Sequence, residues 1–418
     1  MEKKRCISCG SELLDDIVHI GDQYPSAIFV DESDGYTRNL EATSLNLTMC
    51  SNENCKLVQL SSKYDLQYVF DHYPYESDST ATMATILKDV VDGALRFTSI
   101  TESDVVLDIG GNDGTLLSLI KEPCFKVNID AAAGVEQALN NDPCFIYKHA
   151  KFSSDVYDHL GILPKPKLIF SVAMFYHLND PISFCRDIYR TLADDGVWVL
   201  QMTYLGTMLL DNILDNIVHE HAAYYSLFSL RSLLSRVGLY VHKAEIVDSY
   251  GGSLRVYIRK SPADAIDGFM QVQSFEKENK INTLEALQAF DSRVQLLKRS
   301  LRSLVEHIVQ DYGRIGAFGA STKGCMLLQF LNLDETQFYY ALDNSTKKIG
   351  KKTIGSLIPI RDEKSVAGKL PKYLFVLPYY YTKAFVGIIR KLLLEGQSVY
   401  LIIPLPYPKV IKVESGGE

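Results

Sequence analysis

The sequence reads as an α/β protein, with a small cysteine-rich unit ahead of the main domain and a second α/β unit behind it. Three observations carry that reading. Residues 101–260 alternate strand and helix signals, as a largely parallel sheet requires. The apolar run Val105-Val-Leu-Asp-Ile109 leads into Gly110-Gly-Asn-Asp-Gly114, and Arg314-Ile-Gly-Ala-Phe-Gly-Ala-Ser-Thr-Lys-Gly324 repeats that strand-to-glycine-turn pattern in the last third. Four of the eight cysteines fall within the first 55 residues. The expected divisions are 1–68, 69–262 and 263–418.

A chain of 418 residues exceeds one comfortable core. With 47% hydrophobic and 22% charged residues it has the composition of a folded globular protein. A net charge of -8 argues against nucleic acid or an anionic membrane as a general partner, because either needs a basic surface. No stretch approaches the roughly 20 apolar residues of a membrane span. Met1-Glu-Lys-Lys-Arg-Cys6 has no apolar run behind it, so a secretory signal is not expected. A cytoplasmic location with reduced thiols follows. Monomer and dimer both remain open.

Taken in order, Cys6 and Cys9, then Cys50 and Cys55, have the spacing of a structural zinc site. The short strand expected at 44–49 is too little to fold alone, so metal binding would supply much of the folding energy. Residues 61–83 form a polar, aromatic connector that includes Tyr73 and Tyr75.

In the central domain, Gly110, Gly111 and Gly114 permit a tight turn and close backbone approach to a ligand. The dinucleotide pattern Gly-x-Gly-x-x-Gly is not met. A helix is expected over 115–121, then a strand over 125–129 ending at Asp130, twenty-two positions after Asp108. An acid there is placed to hold a ribose hydroxyl pair. The strand at 167–174 leads to His177, which is either a ligand contact or a surface residue, and another strand follows at 196–202. Then comes Asp215-Asn-Ile-Val-His-Glu-His-Ala-Ala-Tyr-Tyr-Ser226, a concentration of titratable groups readable as a metal site, a general-base site or a polar strand edge. A closing strand over 251–257 carries Arg255, either a substrate anchor or a solvated charge.

Apolar residues in steps of three and four predict one long helix over 283–312, capped by Asn282 or Thr283 and ended by Gly313. Its stripe packs between domains or across a dimer. Beyond it, a helix at 325–331 and strands at 337–342, 373–378 and 398–404 complete a second sheet. Lys323 precedes a glycine, so no Walker-type loop is present, although amides at that turn with Lys323 suit a diphosphate.

The glycine turn with Asp130 resembles class I methyltransferases that bind S-adenosylmethionine. Together with the cysteine pairs, His219-Glu-His221, Tyr225-Ser226, Gly251-Gly-Ser-Leu-Arg255 and Gly316-Ala-Phe-Gly-Ala-Ser-Thr-Lys-Gly324, it resembles the sugar C-methyltransferases over nearly the whole chain. That family acts on nucleotide-linked 4-keto-deoxysugars. The resemblance implies a Rossmann-like class I methyltransferase domain between an N-terminal zinc-binding domain and a C-terminal Rossmann-like domain. S-adenosylmethionine is expected at Asp108, Gly110, Gly111, Asn112, Gly114 and Asp130, and structural zinc at the four cysteines. His221 is the implied general base and Glu220 its companion, with Tyr75 (Tyr73 second) reaching the substrate and His177 available to an enolate oxygen. Tyr225, Arg255, Ser321 and Lys323 are the expected contacts to a nucleotide-linked sugar lying between the central and C-terminal domains. Methylation at C-3 follows, with O-methylation of a sugar as the alternative. Val218 stands where many relatives have tyrosine and Tyr250 where they often have histidine, which bears on sugar choice.

Overall fold

The computed structural model describes residues 5–31, 33–64, 81–132, 137–161, 164–249, 251–262 and 268–416. Tyr73, Tyr75 and Tyr250 lie outside the described residues. The N-terminal part contributes β1 (Leu14–Gln23), β2 (Phe29–Val30), β3 (Thr43–Cys50) and β4 (Val58–Leu60). The central part contributes β5 (Val105–Ile109), β6 (Phe125–Asp130), β7 (Phe145–His149), β8 (Leu168–Val172), β9 (Val197–Thr203), β10 (Ala223–Tyr224), β11 (Tyr240–Val247) and β12 (Ser253–Arg259). The last third contributes β13 (Ile315–Phe318), β14 (Phe338–Asp343), β15 (Lys352–Thr353), β16 (Ile360–Asp362), β17 (Tyr373–Val376), β18 (Ser398–Ile403) and β19 (Lys409–Glu414).

The central sheet has the order β11-β12-β9-β8-β5-β6-β7. Strands β9, β8, β5, β6 and β7 are parallel, and β12 runs antiparallel to both β9 and β11. The central strands β5, β8 and β9 are largely apolar and buried on both faces, as a helix-covered parallel sheet demands. This is a class I methyltransferase sheet, the fold expected above. Chain order reverses between β5 and β8, so the crevice at their C-terminal ends is the switch point where such sheets bind ligands. The expected helix at 115–121 is shorter, Thr115–Ser118. Leu119 and Ile120 instead donate to the carbonyls of Leu116 and Leu117, three residues back, and Pro123 prevents recovery.

The C-terminal sheet has the order β16-β14-β13-β17-β18-β19, parallel except for β19. Its reversal lies between β13 and β17. Here Gly319, at φ +81°, makes the turn after β13; a Cβ would stand 2.6 Å from Pro378 Cδ, in the turn after β17. The two crevice loops of this sheet therefore touch.

The N-terminal sheet is not closed within its own sequence. Its order is β1-β3-β4-β10, and β10 arrives from the central part, with Ala223 opposite Gln59 and Tyr224 opposite Val58. A boundary at residue 68 thus leaves out one strand. A second tie is the β2–β15 pair to the last third. The long helix runs Leu284–Tyr312, with Thr283 Oγ1 accepting from the Ala286 amide and Gly313 at its end. Leu287, Phe290, Val294, Leu297, Leu301, Val305 and Ile308 are buried in one core with residues of β1, β3 and the C-terminal sheet. At ~1.5–3 kcal/mol per buried large apolar side chain, this stripe is a main weld between the parts. Arg293 adds polar contacts, its Nε donating to Asn212 Oδ1 at 2.8 Å.

Candidate active site

At the central switch point, β5 delivers Asp108 and the turn 110–114. Gly110 and Gly114 have φ of +73° and +78°, and a Cβ on Gly111 would lie 2.5 Å from Asp108 Oδ2 and 2.6 Å from Asn128 Oδ1. The turn is pinned from β6: Asn128 Nδ2 donates to the Asn112 carbonyl at 3.0 Å, and Asp130 Oδ2 accepts from the Asn112 amide at 2.7 Å. Burial, with Asp130 and Asp113 nearby, pushes the Asp108 carboxyl up to about 8. Its Oδ2 is buried and has no hydrogen-bond partner among the described residues, so a polar group is wanted there. Burial also raises Asp130, against the two backbone amides that favour its charged form. These residues fit S-adenosylmethionine: a glycine-walled cradle, an unsatisfied buried carboxylate and an acid at the tip of β6.

The turn after β8 abuts this cradle, since a Cβ on Gly110 would lie 3.1 Å from Met174. It continues into Phe175–His177, whose rings meet the histidine stretch. The Tyr176 and His221 ring centroids are 4.2 Å apart, and those of His177 and His221 are 5.3 Å apart. His177 Nδ1 donates to the Glu220 carbonyl at 2.6 Å. His221 Nδ1 donates to the Asn216 carbonyl at 2.8 Å, which makes Nε2 the nitrogen with the lone pair. Burial lowers the His221 pKa well below the ordinary value, helped by His177 and Lys323. Burial likewise takes His177 down to about 4 and lifts Glu220 up to about 7. Glu220 Oε2 is buried and without a hydrogen-bond partner among the described residues. His219 faces the other way, Nε2 meeting Thr43 Oγ1 at 3.2 Å and its ring lying edge-on to Tyr64 at 4.5 Å.

From the second sheet's crevice come Lys323 and Tyr379. The helix Thr322–Leu331 packs on the Leu214–Asn216 turn, and Ser321 caps it, Oγ accepting from the Gly324 amide at 3.0 Å. Tyr379 Oη donates to Asp215 Oδ1 at 3.2 Å. Lys323 Nζ and Asp215 Oδ2 are both buried without hydrogen-bond partners among the described residues. Burial moves each toward its neutral form and their mutual attraction opposes it. The histidine segment therefore bridges the switch points of the two sheets.

The four N-terminal sulfurs lie within 4.8 Å of one another, with Cys6–Cys55 at 3.6 Å and Cys9–Cys50 at 3.5 Å. Tetrahedral zinc with ~2.3 Å bonds needs sulfurs about 3.8 Å apart, so the set fits that ion. Among the described residues this is the group placed to hold a metal; the histidines form none.

Residues 81–244 match the family described as a methyltransferase domain, and residues 248–406 match that described as a C-methyltransferase C-terminal domain. The C-methyltransferase NovU of Streptomyces niveus is 28% identical over 420 residues, covering 98% of this chain and 97% of that protein. These matches make the chain an S-adenosylmethionine-dependent methyltransferase that carries a C-methyltransferase C-terminal domain. Solved structures similar to this methyltransferase include the 1,6-didemethyltoxoflavin-N1-methyltransferase of Burkholderia thailandensis, at 12% identity and TM-score 0.37 over 51% of this chain and 98% of that one. The N-methyltransferase NodS of Bradyrhizobium japonicum is similar at 13% identity and TM-score 0.34, over 44% and 98% of the two chains.

Two expected substrate contacts of the methyltransferase are corrected. Tyr225 has no exposed surface; its ring packs 5.1 Å from Phe175 in the core that also holds Cys6, Cys50 and Cys55. The alternation of β10 turns Tyr224 toward His221, its hydroxyl donating to the Asn216 carbonyl at 3.2 Å, and Tyr225 away. Arg255 is buried mid-strand, Nε donating to Gln201 Oε1 at 2.6 Å and Nη2 to Asp89 at 2.7 Å, so it pins the helix Ala81–Phe97 to the sheet. Val218 lies in the core at 1% exposure. Sequence reasoning missed Asn128, Asp215, Asn216 and Tyr379. Asp215 and Asn216 stood inside the titratable stretch, and Tyr379 opens the Tyr379-Tyr-Tyr381 run after β17. Nothing in the sequence paired them across 164 positions.

Proposed function

We propose that this methyltransferase adds a methyl group to C-3 of a nucleotide-linked 4-keto-deoxysugar, with His221 as general base. The observation that carries the proposal is the tautomer: Nδ1–H is committed to the Asn216 carbonyl, so a neutral imidazole presents Nε2 beside the cofactor crevice. Carbon must become nucleophilic before it can be methylated, and a C-4 ketone permits this by delocalising charge onto oxygen. His221 Nε2 takes the C-3 proton, the C–H pair moves into the enolate, and the Asn216 carbonyl holds the resulting imidazolium in place. Glu220, lifted to about 7 by burial, can carry a proton near neutral pH and offers its unpartnered Oε2 to a sugar hydroxyl. S-adenosylmethionine supplies an electrophilic methyl group when bound; Asp108, the 110–114 turn and Asp130 would hold it. Zinc at the four cysteines would hold β4, and through it β10, two residues beyond His221. The match to NovU, a C-methyltransferase covered over 97% of its length, supports methylation at carbon. Reduced zinc ligands suit a cytoplasmic setting.

The test is incubation with ¹³C-methyl-labelled S-adenosylmethionine and a panel of nucleoside-diphosphate 4-keto-6-deoxysugars, read by NMR. A methyl carbon bonded to C-3 is expected. A methyl resonance on oxygen, or no product from any keto-sugar, would overturn the reading.

A further inference from the structure

Lys323 occupies the first turn of the helix Thr322–Leu331, yet its ammonium donates to no acceptor among the described residues. Nζ is buried, lies 5.3 Å from the Tyr380 ring centroid and makes no hydrogen bond among the described residues. Enclosing an ammonium this way is costly, so a ligand that completes its shell is the natural reason to keep it. The opposite charge is Asp215, whose Oδ1 accepts from Tyr379 while Oδ2 has no hydrogen-bond partner among the described residues. The lysine and the aspartate therefore face each other without closing a hydrogen bond. Asp215 precedes Asn216, the residue that orients His221. A cation from one domain thus lies close enough to a base from another for its charge to weigh on His221.

We propose that Lys323 is a catalytic residue at the reacting carbonyl: it donates to the C-4 oxygen as negative charge develops there, rather than anchoring the substrate diphosphate. The proposal rests on the His221 reading above and deepens it. As His221 Nε2 removes the C-3 proton, the C–H electron pair becomes the C-3–C-4 π bond and the carbonyl π pair moves onto oxygen, where the Lys323 ammonium receives it. The charge count favours this assignment. A diphosphate brings about two negative charges and would sit against the buried Asp215 carboxylate, whereas a single developing oxyanion matches one ammonium. Lys348, a second cation at that turn, is already held by Asp343 and the Ala320 carbonyl, both at 3.0 Å. The cofactor need not be present for this step, which gives the proposal its own readout.

The experiment measures deuterium uptake at C-3 of thymidine-diphosphate 4-keto-6-deoxyglucose in ²H₂O, with S-adenosylhomocysteine bound so that methyl transfer is blocked. Thymidine diphosphate affinity is measured in parallel by calorimetry. Lys323→Met should slow exchange at saturation about 10²- to 10³-fold, the usual loss for one oxyanion donor, with thymidine diphosphate affinity changed less than threefold. Because Lys323→Met leaves Asp215 without its counter-charge, Asp215→Asn/Lys323→Met is tested alongside it and should show the same exchange defect. Normal exchange at saturation with weakened thymidine diphosphate binding would make Lys323 a diphosphate anchor and overturn the proposal, as would no change in either. Absence of exchange in the unmodified enzyme would instead defeat the His221 reading on which this one stands.

Discussion

Replacing Glu220 with glutamine should stabilise the protein, and the gain should grow with pH. Glu220 is 3% exposed, its Oε2 lacks a hydrogen-bond partner among the described residues, and the imidazoles of His177 and His221 beside it are held neutral by burial. Burial raises its pKa from 4.5 to about 7. A carboxyl raised in the folded state contributes stability that is fully present below 4.5 and is lost as pH rises through 7. One pKa unit is worth about 1.4 kcal/mol, so burying Glu220 costs roughly 1 kcal/mol at pH 5, where only the unfolded chain ionises it, and roughly 3 kcal/mol at pH 8.5. Glu220→Gln is nearly isosteric and cannot ionise. Urea unfolding of both proteins at pH 5 and pH 8.5 should therefore show the variant's advantage widening by about 2 kcal/mol. A difference independent of pH would refute the argument, since it would place the ionised carboxylate in a solvated or paired environment.

Other consequences are as concrete. The purified protein should contain one zinc per chain; Cys55→Ser should lose it and, because β4 pairs with β10 beside the histidines, should lose activity as well as N-terminal folding, read by metal analysis and turnover together. Asp130→Ala should weaken S-adenosylhomocysteine binding on the order of tenfold or more, by calorimetry, because the acid proposed to meet the ribose is also the acceptor of the Asn112 amide. Arg255→Met should destabilise by about 1–3 kcal/mol, since it strands Gln201, while leaving KM for the sugar unchanged. Tyr225→Phe should be neutral or stabilising with kcat intact, because the hydroxyl is buried without a partner among the described residues.

The local features were legible because they are local. Val105–Ile109, the glycine turn and Asp130 declare themselves by apolar run and spacing, and the long helix declares its face, its cap and its end within its own residues. The four cysteines likewise needed only their spacing. The helix stripe, open between an interdomain and an intermolecular role, packs within the chain because β1 and the C-terminal sheet share its core. What the sequence could not disclose was which way a buried polar side chain faces. Arg255 and Tyr225 sit in motifs that carry function, but strand alternation and the neighbours Asp89, Gln201 and Phe175 decide their roles. The Asp215–Tyr379 bond depends on two sheets presenting their switch points to one segment, a relation that no window of sequence contains.

The central claim is that His221 removes a proton from carbon. Its most direct test is deuterium exchange at C-3 of the nucleotide-linked keto-sugar with S-adenosylhomocysteine bound, comparing the unmodified enzyme with His221→Asn. Exchange should fall by about 10²- to 10⁴-fold in the variant, with S-adenosylhomocysteine affinity unchanged. Equal exchange rates in the two proteins would contradict it.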